Sequence, residues 1–231
     1  MKMLHSQQPS LNAGFTIIEL LAVVAIIALV TAFAVPATST MLRGSQLTQG
    51  AQMVSDQLSL ARQTALAKSH SVEVRIYQFS DPSVPGEVGG AASKGKYRAL
   101  QSFEIEDSGA PVAIGKMQTV PQSVMIDAGG ASSSGSNCLS TIISSAQGSP
   151  TVPTLVTGQA LGVTIPRAGK AYNAACFRFL RDGSTNFSSS SSQWFITLHN
   201  LTDGDNLQSP PHDFVTIQVD SANGHIRTFR P

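Results

Sequence analysis

Glu19 is the one charged side chain within a long apolar run, so its position raises a question of charge chemistry. The run extends over 21 residues, from Phe15 to Val35. An ionised side chain inside hydrocarbon costs about 2.5–3.5 kcal/mol even on a mild scale. A carboxylate among apolar side chains therefore needs a partner. The sequence predicts that Glu19 finds one only where this segment is packed against other groups.

The rest of the chain carries little that could catalyse a reaction. The five histidines are scattered, and no pair has the spacing of metal ligands on a helix: His5, His70, His199, His212 and His225. There is no Gly-x-Ser-x-Gly elbow and no phosphate-binding loop. The run 203–206 is too short to supply the roughly six to eight oxygens of a calcium shell, so a polar turn is favoured. We expect no enzyme activity, no metal and no cofactor.

Composition points to an exported protein. The 231 residues include 15 Lys+Arg and 14 Asp+Glu, which argues against binding nucleic acid through a bulk positive field. Charged residues make up 13% of the chain, about half of the roughly 25% usual in soluble domains. Ser, Thr, Gln, Asn and Gly replace them, as suits a secreted or cell-surface domain.

The two cysteines, Cys138 and Cys176, are too few for a disulfide-dense scaffold or a four-thiolate zinc site. An oxidising compartment would permit one disulfide between them. Closing a loop of about 38 residues would contribute about 4 kcal/mol on the chain-entropy model. The sequence gives no distance between the two, so a disulfide and two free thiols both stay open.

The amino terminus has the features of a membrane anchor with a short leader. As a helix, the 21 residues span about 31 Å, close to the roughly 30 Å hydrocarbon core. Residues 1–14 contain Lys2 and no acid, which favours leaving them in the cytoplasm. A cleaved secretory signal has an apolar run of only about 7–15 residues. An ordinary anchor fits the length but does not explain Glu19.

The residues Gly14-Phe15-Thr16-Ile17-Ile18-Glu19, with the apolar run and Pro36, resemble the processing site of type IV prepilins and type II secretion pseudopilins. The resemblance implies cleavage by prepilin peptidase between Gly14 and Phe15, then methylation of the new amine of Phe15. It also implies that the apolar helix stays in the mature protein. In that family the counterpart of Glu19 meets a terminal amine, its own or a neighbour's, and so sets the register of the filament.

After Pro36 a narrow apolar stripe recurs at helical spacing and is expected to lie against a sheet: Leu47, Ala51, Val54, Leu58, Ala61 and Ala65. The predicted helix runs from about Phe15 to Ser69, with a break or bend at Pro36. Gly44 and Gly50 each cost about 1 kcal/mol relative to Ala. They make the stretch between Pro36 and Gly50 the weakest part of the expected stalk.

From residue 70 onward the pattern is that of strands separated by Gly, Pro and Ser-rich loops. Alternation over Val72–Tyr77 predicts the first strand. Further strands are predicted at Lys96–Phe103, Pro111–Lys116, Val124–Ile126, Ala160–Ile165, Ala175–Arg181, Trp194–His199, Phe214–Val219 and His225–Phe229. Asn223-Gly224 predicts positive φ at both positions and a tight hairpin. Loops at Ser80–Gly95, Ala128–Ser136 and Ser188–Ser192 are expected to be unstructured.

No strand is followed by a long amphipathic helix, so a parallel sheet is not expected. The predicted fold class is α+β and pilin-like, with a long hydrophobic N-terminal helix packed on an antiparallel sheet. The predicted domains are a prepilin leader at 1–14, a transmembrane and filament-core helix at 15–36, an amphipathic stalk helix at 37–69 and a periplasmic β-rich head at 70–231.

Two further resemblances refine this interpretation. Ala61–Lys68 followed by Val72–Val74 is similar to the helix-to-strand junction of minor pseudopilins of the GspH/FimT type. Phe214–Asp220 and Gly224–Pro231 are similar to the carboxyl end of the Verru_Chthon cassette protein D group. The first implies a minor subunit, and the second implies co-encoded prepilin-like partners.

We therefore expect a non-enzymatic minor pilin or pseudopilin. It would be held in the inner membrane with its head in the periplasm, and would join other subunits in a short filament of type II secretion or a related type IV pilus system. The alternative is a minor pilin that binds DNA or a surface ligand through Arg227 and Arg230. The leading interpretation involves no nucleic acid.

Overall fold

The structure is a computed structural model, and it divides into two compact units, Met1–Leu42 and Arg43–Pro231. The side chains of 33–40, 154, 155 and 159 are not described. The residues that the structure describes are 15–84, 87, 95–128, 139–143, 154–161, 163–166, 168–188, 193–204, 207 and 209–231. Most of the loop residues that the sequence predicts to be unstructured lie outside these ranges.

Helix α1 extends over Ile17–Lys68, within two residues of both predicted ends. The helix continues through residues 33–40, of which only the backbone is described, so it does not break at Pro36. The alternative, a bend at Pro36, stays a prediction. Ser69 follows the last helical residue with a φ of 54°, the left-handed conformation that commonly ends a helix.

Within the described part of the chain, nine strands form one sheet, and all their pairings are antiparallel. Its order is β5-β6-β1-β2-β4-β7-β8-β9, and β3 also pairs with β2. The strands are β1 Ser71–Phe79, β2 Lys96–Ile105, β3 Pro111–Thr119, β4 Val124–Ile126, β5 Thr154–Thr157, β6 Asn173–Phe179, β7 Trp194–Asn200, β8 Phe214–Val219 and β9 Ile226–Phe229. The α+β prediction, with a long N-terminal helix and an antiparallel sheet, is confirmed.

One predicted strand is wrong. The described residues of the segment Ala160–Ile165, which exclude 162, form no ladder: Gly158–Leu161 is a helical turn, and Ile165 makes an isolated bridge to Gly169. The ladder strand is instead β5, which precedes this turn and which the sequence did not reveal. Gly158 follows the last residue of β5. A Cβ at Gly158 would lie 2.5 Å from the carbonyl oxygen of Lys170, so the contact between these two backbone segments requires glycine.

The predicted stripe on α1 is confirmed. Its six members are all buried, and they pack against side chains from one face of the sheet, here called the helix face. That face includes Val74 and Ile76 of β1, Phe177 of β6, and Ile196 and Leu198 of β7. The stripe is narrow and rich in alanine, so the helix backbone can approach the sheet closely.

The opposite face of the sheet carries a second, smaller apolar cluster. Tyr77 and Phe79 of β1 pack there with Tyr172 and Cys176, and the Tyr77 and Tyr172 rings meet edge to face at a centroid distance of 5.3 Å. Burial on both faces explains why β1 is almost continuously buried, a pattern that alternation in the sequence did not predict.

Gly50 has a packing role that the sequence analysis missed. A Cβ at this position would lie 3.3 Å from both Pro121 Cδ and Val124 Cγ1 and 3.7 Å from Leu198 Cδ2. The absence of a side chain is therefore what lets α1 contact the sheet at β4 and β7. Gly50 is buried against the sheet. The expected weakness of the helix between Pro36 and Gly50 stays a prediction.

The connection between β8 and β9 differs from the predicted tight hairpin. Among the residues from 220 to 225, only Gly224 has a positive φ, 65°. The Asp220 carboxylate accepts hydrogen bonds from the N–H groups of Ala222 and Asn223, and Gly224 N–H donates to the carbonyl of Asp220 at 2.9 Å. This Asx-type turn replaces the two-residue turn because a side chain of Asp captures the loop amides.

We predict that Gly50→Leu lowers the free energy of unfolding by about 1–3 kcal/mol, because the added side chain must displace Pro121 and Val124. Thermal or denaturant unfolding of the full chain in detergent measures this. Gly44→Leu is the matched control, since the nearest atoms to a Cβ there are 3.7 and 3.8 Å away and belong to the side chains of Arg230 and Asp213. Equal destabilisation by the two substitutions would contradict the packing role of Gly50.

Candidate functional site

The first candidate site is the start of α1, where Glu19 turns back onto Thr16. The Glu19 carboxylate accepts hydrogen bonds from Thr16 N–H at 3.0 Å and from Thr16 Oγ1 at 2.8 Å. Thr16 Oγ1 in turn accepts from Glu19 N–H at 3.3 Å. This reciprocal pair is a capping box, and the Thr-x-x-Glu spacing was the sequence signal for it. The carboxylate therefore lies beside the N–H of Thr16, the residue that follows Phe15 in the sequence.

The side chains that follow are apolar and exposed on every side of the helix. All the large apolar residues between Phe15 and Val30 are exposed, from 49% at Val23 to 86% at Ile17. A helix that is apolar around its whole circumference needs an apolar environment or neighbouring helices. Over the described residues, which exclude 1–14 and the side chains of 33–40, no helix is both long enough and apolar enough to cross a membrane.

Several predicted site residues cannot be placed. Gly14 and Cys138 lie outside the described residues, and of Pro36 only the backbone is described. Cys176 is buried on β6 and has no disulfide partner among the described residues; burial raises the pKa of its thiol to about 12, assisted by the negative charge of Glu73. The disulfide between Cys138 and Cys176 stays a prediction.

The two predicted ligand-binding arginines do not form one basic patch. Arg230 reaches α1, where its guanidinium donates to Thr48 Oγ1 at 2.6 Å and pairs with the Asp213 carboxylate at 3.0 Å. Arg227 lies on the opposite face of the sheet, beside Gln218. Successive side chains of an extended strand point to opposite faces. Arg227 and Arg230 are three positions apart, an odd number, so their guanidinium groups lie on different faces.

The neighbouring strands β4 and β7 bring together a buried charged pair that the sequence did not reveal. His199 of β7 and Asp127, just after β4, are both fully buried. His199 Nε2 lies 3.2 Å from Asp127 Oδ2, and Nδ1 lies 3.0 Å from the carbonyl oxygen of Asn200. Two acceptors at the two ring nitrogens favour the doubly protonated imidazolium. Only the pairing of β4 with β7 brings these residues together.

Metal ligation finds no support within the described part of the chain. No group of three or more His, Cys, Asp or Glu side chains there could hold a metal ion. Asp203 ends a short 3-10 turn, Leu201–Asp203, while 205 and 206 lie outside the described residues.

The His199 pair predicts a pH dependence of stability. Burial by itself lowers the pKa of His199, but hydrogen bonds to Asp127 and Asn200, with the charges of Asp127 and Asp203, outweigh burial and raise it. The stabilisation is therefore complete below the unfolded value of about 6.5 and is lost as pH rises through the folded pKa. We expect the unfolding free energy to fall there by up to about 1.4 kcal/mol per pH unit.

Denaturant unfolding at a series of pH values measures this slope, and His199→Gln should remove it. The matched control is His225→Gln, because the exposed His225 has no carboxylate partner among the described residues. If the His199→Gln variant kept the pH slope of the unsubstituted chain, another group would be responsible.

In comparison with known proteins, the amino terminus matches a known sequence motif. Residues 9–35 match the model of the prokaryotic N-terminal methylation motif. Among solved structures, the chain is similar to the minor pseudopilin EpsH from the type 2 secretion system of Vibrio cholerae, with 12% identity and a TM-score of 0.41 over 80% of this chain and 98% of that one. No curated protein matches. The motif confirms the predicted resemblance: the chain has the amino terminus of a type IV prepilin-like protein.

Proposed function

We propose that this chain is a structural subunit, a minor pilin or pseudopilin of type II secretion or a related type IV pilus system. Prepilin peptidase would cut between Gly14 and Phe15 and methylate Phe15. The new amino terminus would then lead α1 into a short filament with other subunits. The observation that carries this proposal is the methylation motif at residues 9–35, combined with the position of the Glu19 carboxylate.

The position of Glu19 supports a role in assembly. Its carboxylate already binds the N–H of Thr16, the second residue of the proposed mature chain. A protonated amine on Phe15 would therefore form within reach of Glu19 in the same subunit. In a packed filament, an amine of a neighbouring subunit could compete for the same carboxylate. Because an unpaired charge is costly among apolar side chains, this competition penalises any incorrect axial stagger.

The apolar side chains of the first half of α1 support a role for this segment in the membrane and in the filament core. They are exposed in the isolated chain on all sides of the helix. The inner membrane would cover them before assembly, and helices of neighbouring subunits would cover them afterwards. The head, from residue 70 onward, would lie in the periplasm.

The proposal predicts that Glu19→Leu reduces recovery of the chain in the filament fraction by at least about tenfold, since it removes one partner of a buried charge pair. Quantitative immunoblotting of sheared filaments, with the partner subunits co-expressed, measures this. Mass spectrometry of the membrane fraction should find a methylated Phe15 as the first residue of both the unsubstituted chain and the Glu19→Leu variant. A mature chain that begins after Pro36 would overturn the proposal.

The Glu19→Gln variant separates charge from helix capping. Glutamine at this position can still complete the capping box with Thr16, but it carries no charge. If charge pairing sets the register, both variants should assemble poorly. If Glu19→Gln assembles as well as the unsubstituted chain, Glu19 acts only as a cap.

The alternative, binding of DNA or a surface ligand through the carboxyl-terminal arginines, has less support. Arg230 is engaged by Asp213 and Thr48, so Arg227 would have to act alone. We expect that Arg227→Ala combined with Arg230→Ala does not change the affinity for duplex DNA in a low-salt mobility-shift assay. A loss of affinity in this double variant that Lys116→Ala does not reproduce would favour the alternative.

A further inference from the structure

Strand β9 is the last strand of the sheet, and its outer edge carries main-chain groups directed away from β8. Among the described residues, β9 pairs only with β8. Asp220 N–H donates to the carbonyl of His225 at 3.0 Å, so the pair of Asp220 and His225 is a hydrogen-bonded one. Because such pairs alternate along an antiparallel ladder, Arg227 and Phe229 bond to β8. The N–H and C=O groups of Ile226 and Thr228 then point to the open edge.

The side chains of β9 divide between the two faces of the sheet. Ile226 packs against the main core on the helix face. Arg227 and Phe229 lie on the opposite face, where the Phe229 side chain is 52% exposed. Within the described residues Arg227 makes no ion pair, in contrast to Arg230. The open edge of β9 is therefore accompanied on one face by an apolar ring and a cation about two residues apart.

A groove of about 350 Å³ adjoins this edge on the same face, and we call it the β7–β9 groove. Its floor includes Phe195 and Thr197 of β7 and Phe214 and Thr216 of β8, and Phe229 forms one wall. Thr197 Oγ1 and Thr216 Oγ1 are hydrogen-bonded to each other at 3.0 Å, and the other polar lining residues are Gln193 and Gln218, so the lining carries no charge. The groove suits an uncharged, largely apolar side chain.

We propose that β9 and the β7–β9 groove together bind an extended segment of a partner protein, which adds to the sheet as an antiparallel strand. Main-chain bonds to Ile226 and Thr228 would supply affinity. The partner residue opposite Phe229 would be large and apolar and would pack against the exposed Phe229 ring, which borders the groove. The residue two positions later would lie opposite Arg227 and would be acidic. The recognised pattern is thus apolar-x-acidic, and this inference does not rest on the proposed filament role.

Two other strands of the described sheet lie at an edge, β5 and β3, and neither offers the same site. Strand β5, with the sequence Thr-Leu-Val-Thr, has no cation that would select an acidic partner residue. Strand β3 has Gly115 at a φ of 76°, next to the register shift in its pairing with β2, and Lys116 follows it. A bulge and a lysine are features by which edge strands avoid pairing. In β9 the regular register continues to Phe229. β9 itself contains no acid, so a second copy of β9 could not supply the carboxylate that Arg227 selects.

A synthetic peptide tests the proposal: a fluorescein-labelled, C-amidated heptapeptide with the sequence Thr-Thr-Phe-Thr-Glu-Thr-Thr, titrated with the full chain in detergent and followed by anisotropy. We expect saturable binding below about 1 mM. We expect about tenfold weaker binding for Thr228→Pro, which removes an outward N–H without removing a bond to β8. Circular dichroism and thermal unfolding check that this variant is folded.

Two controls leave the protein unchanged. A peptide N-methylated at alternate amides keeps every side chain but loses the donors that face β9, and it should bind about tenfold more weakly. A peptide with Phe and Glu exchanged should also bind more weakly. Because these two peptide measurements use the unsubstituted chain, they test the proposal even if the Thr228→Pro variant does not fold.

Charge reversal tests the role of Arg227. Arg227→Glu should weaken binding of the Glu peptide about two- to fivefold and strengthen binding of the matching Lys peptide by a similar factor. Lys116→Glu, at an exposed position of β3, is the control for the same change of net charge. Absence of binding, equal binding of the N-methylated peptide, or binding of duplex DNA through Arg227 in place of the peptide would each overturn the proposal.

Discussion

The close contact between the second half of α1 and the sheet is the constraint on which the head depends. It is made by small residues: Gly50, Ala51, Ala61 and Ala65 let the helix backbone approach the strands, while Leu58 and its neighbours fill the space between them. Apolar burial of this kind contributes about 25 cal/mol for each Å² removed from water. The carboxyl terminus is tied to the same helix, because Arg230 joins Thr48 to Asp213.

This contact determines what the two faces of the sheet can do. The helix face packs against the apolar stripe of α1. The opposite face is covered in part by the cluster around Tyr77 and Tyr172, and its other end carries the β7–β9 groove. An interaction surface on the head is therefore expected on the opposite face and at the edge of β9. The division follows from the two-residue period of the strands, which sends alternate side chains to different environments.

Several of the charged residues form ion pairs. Glu73 lies between Arg75 and Arg178, with N–O distances of 2.7 and 2.8 Å, and Arg75 also stacks 4.0 Å above the centre of the Phe103 ring. Arg98 pairs with Glu87, and His199 with Asp127. Apart from Arg178, whose side chain is 46% exposed, these charged groups are largely buried, where an unpaired charge would be strongly destabilising. A low content of charge thus coexists with several specific ionic contacts on the opposite face and near the strand ends.

The sequence by itself determined the features that arise from local patterns. The methylation motif, the long helix, its stripe from Leu47 to Ala65 and most of the strands follow from spacing and residue type, because helices and strands have different periods. Tertiary structure decided the rest. The burial of Gly50, the separation of Arg227 from Arg230, the pair of Asp127 and His199 and the open edge of β9 depend on which strands become neighbours. That choice is made by packing between residues far apart in the chain, which no local pattern records.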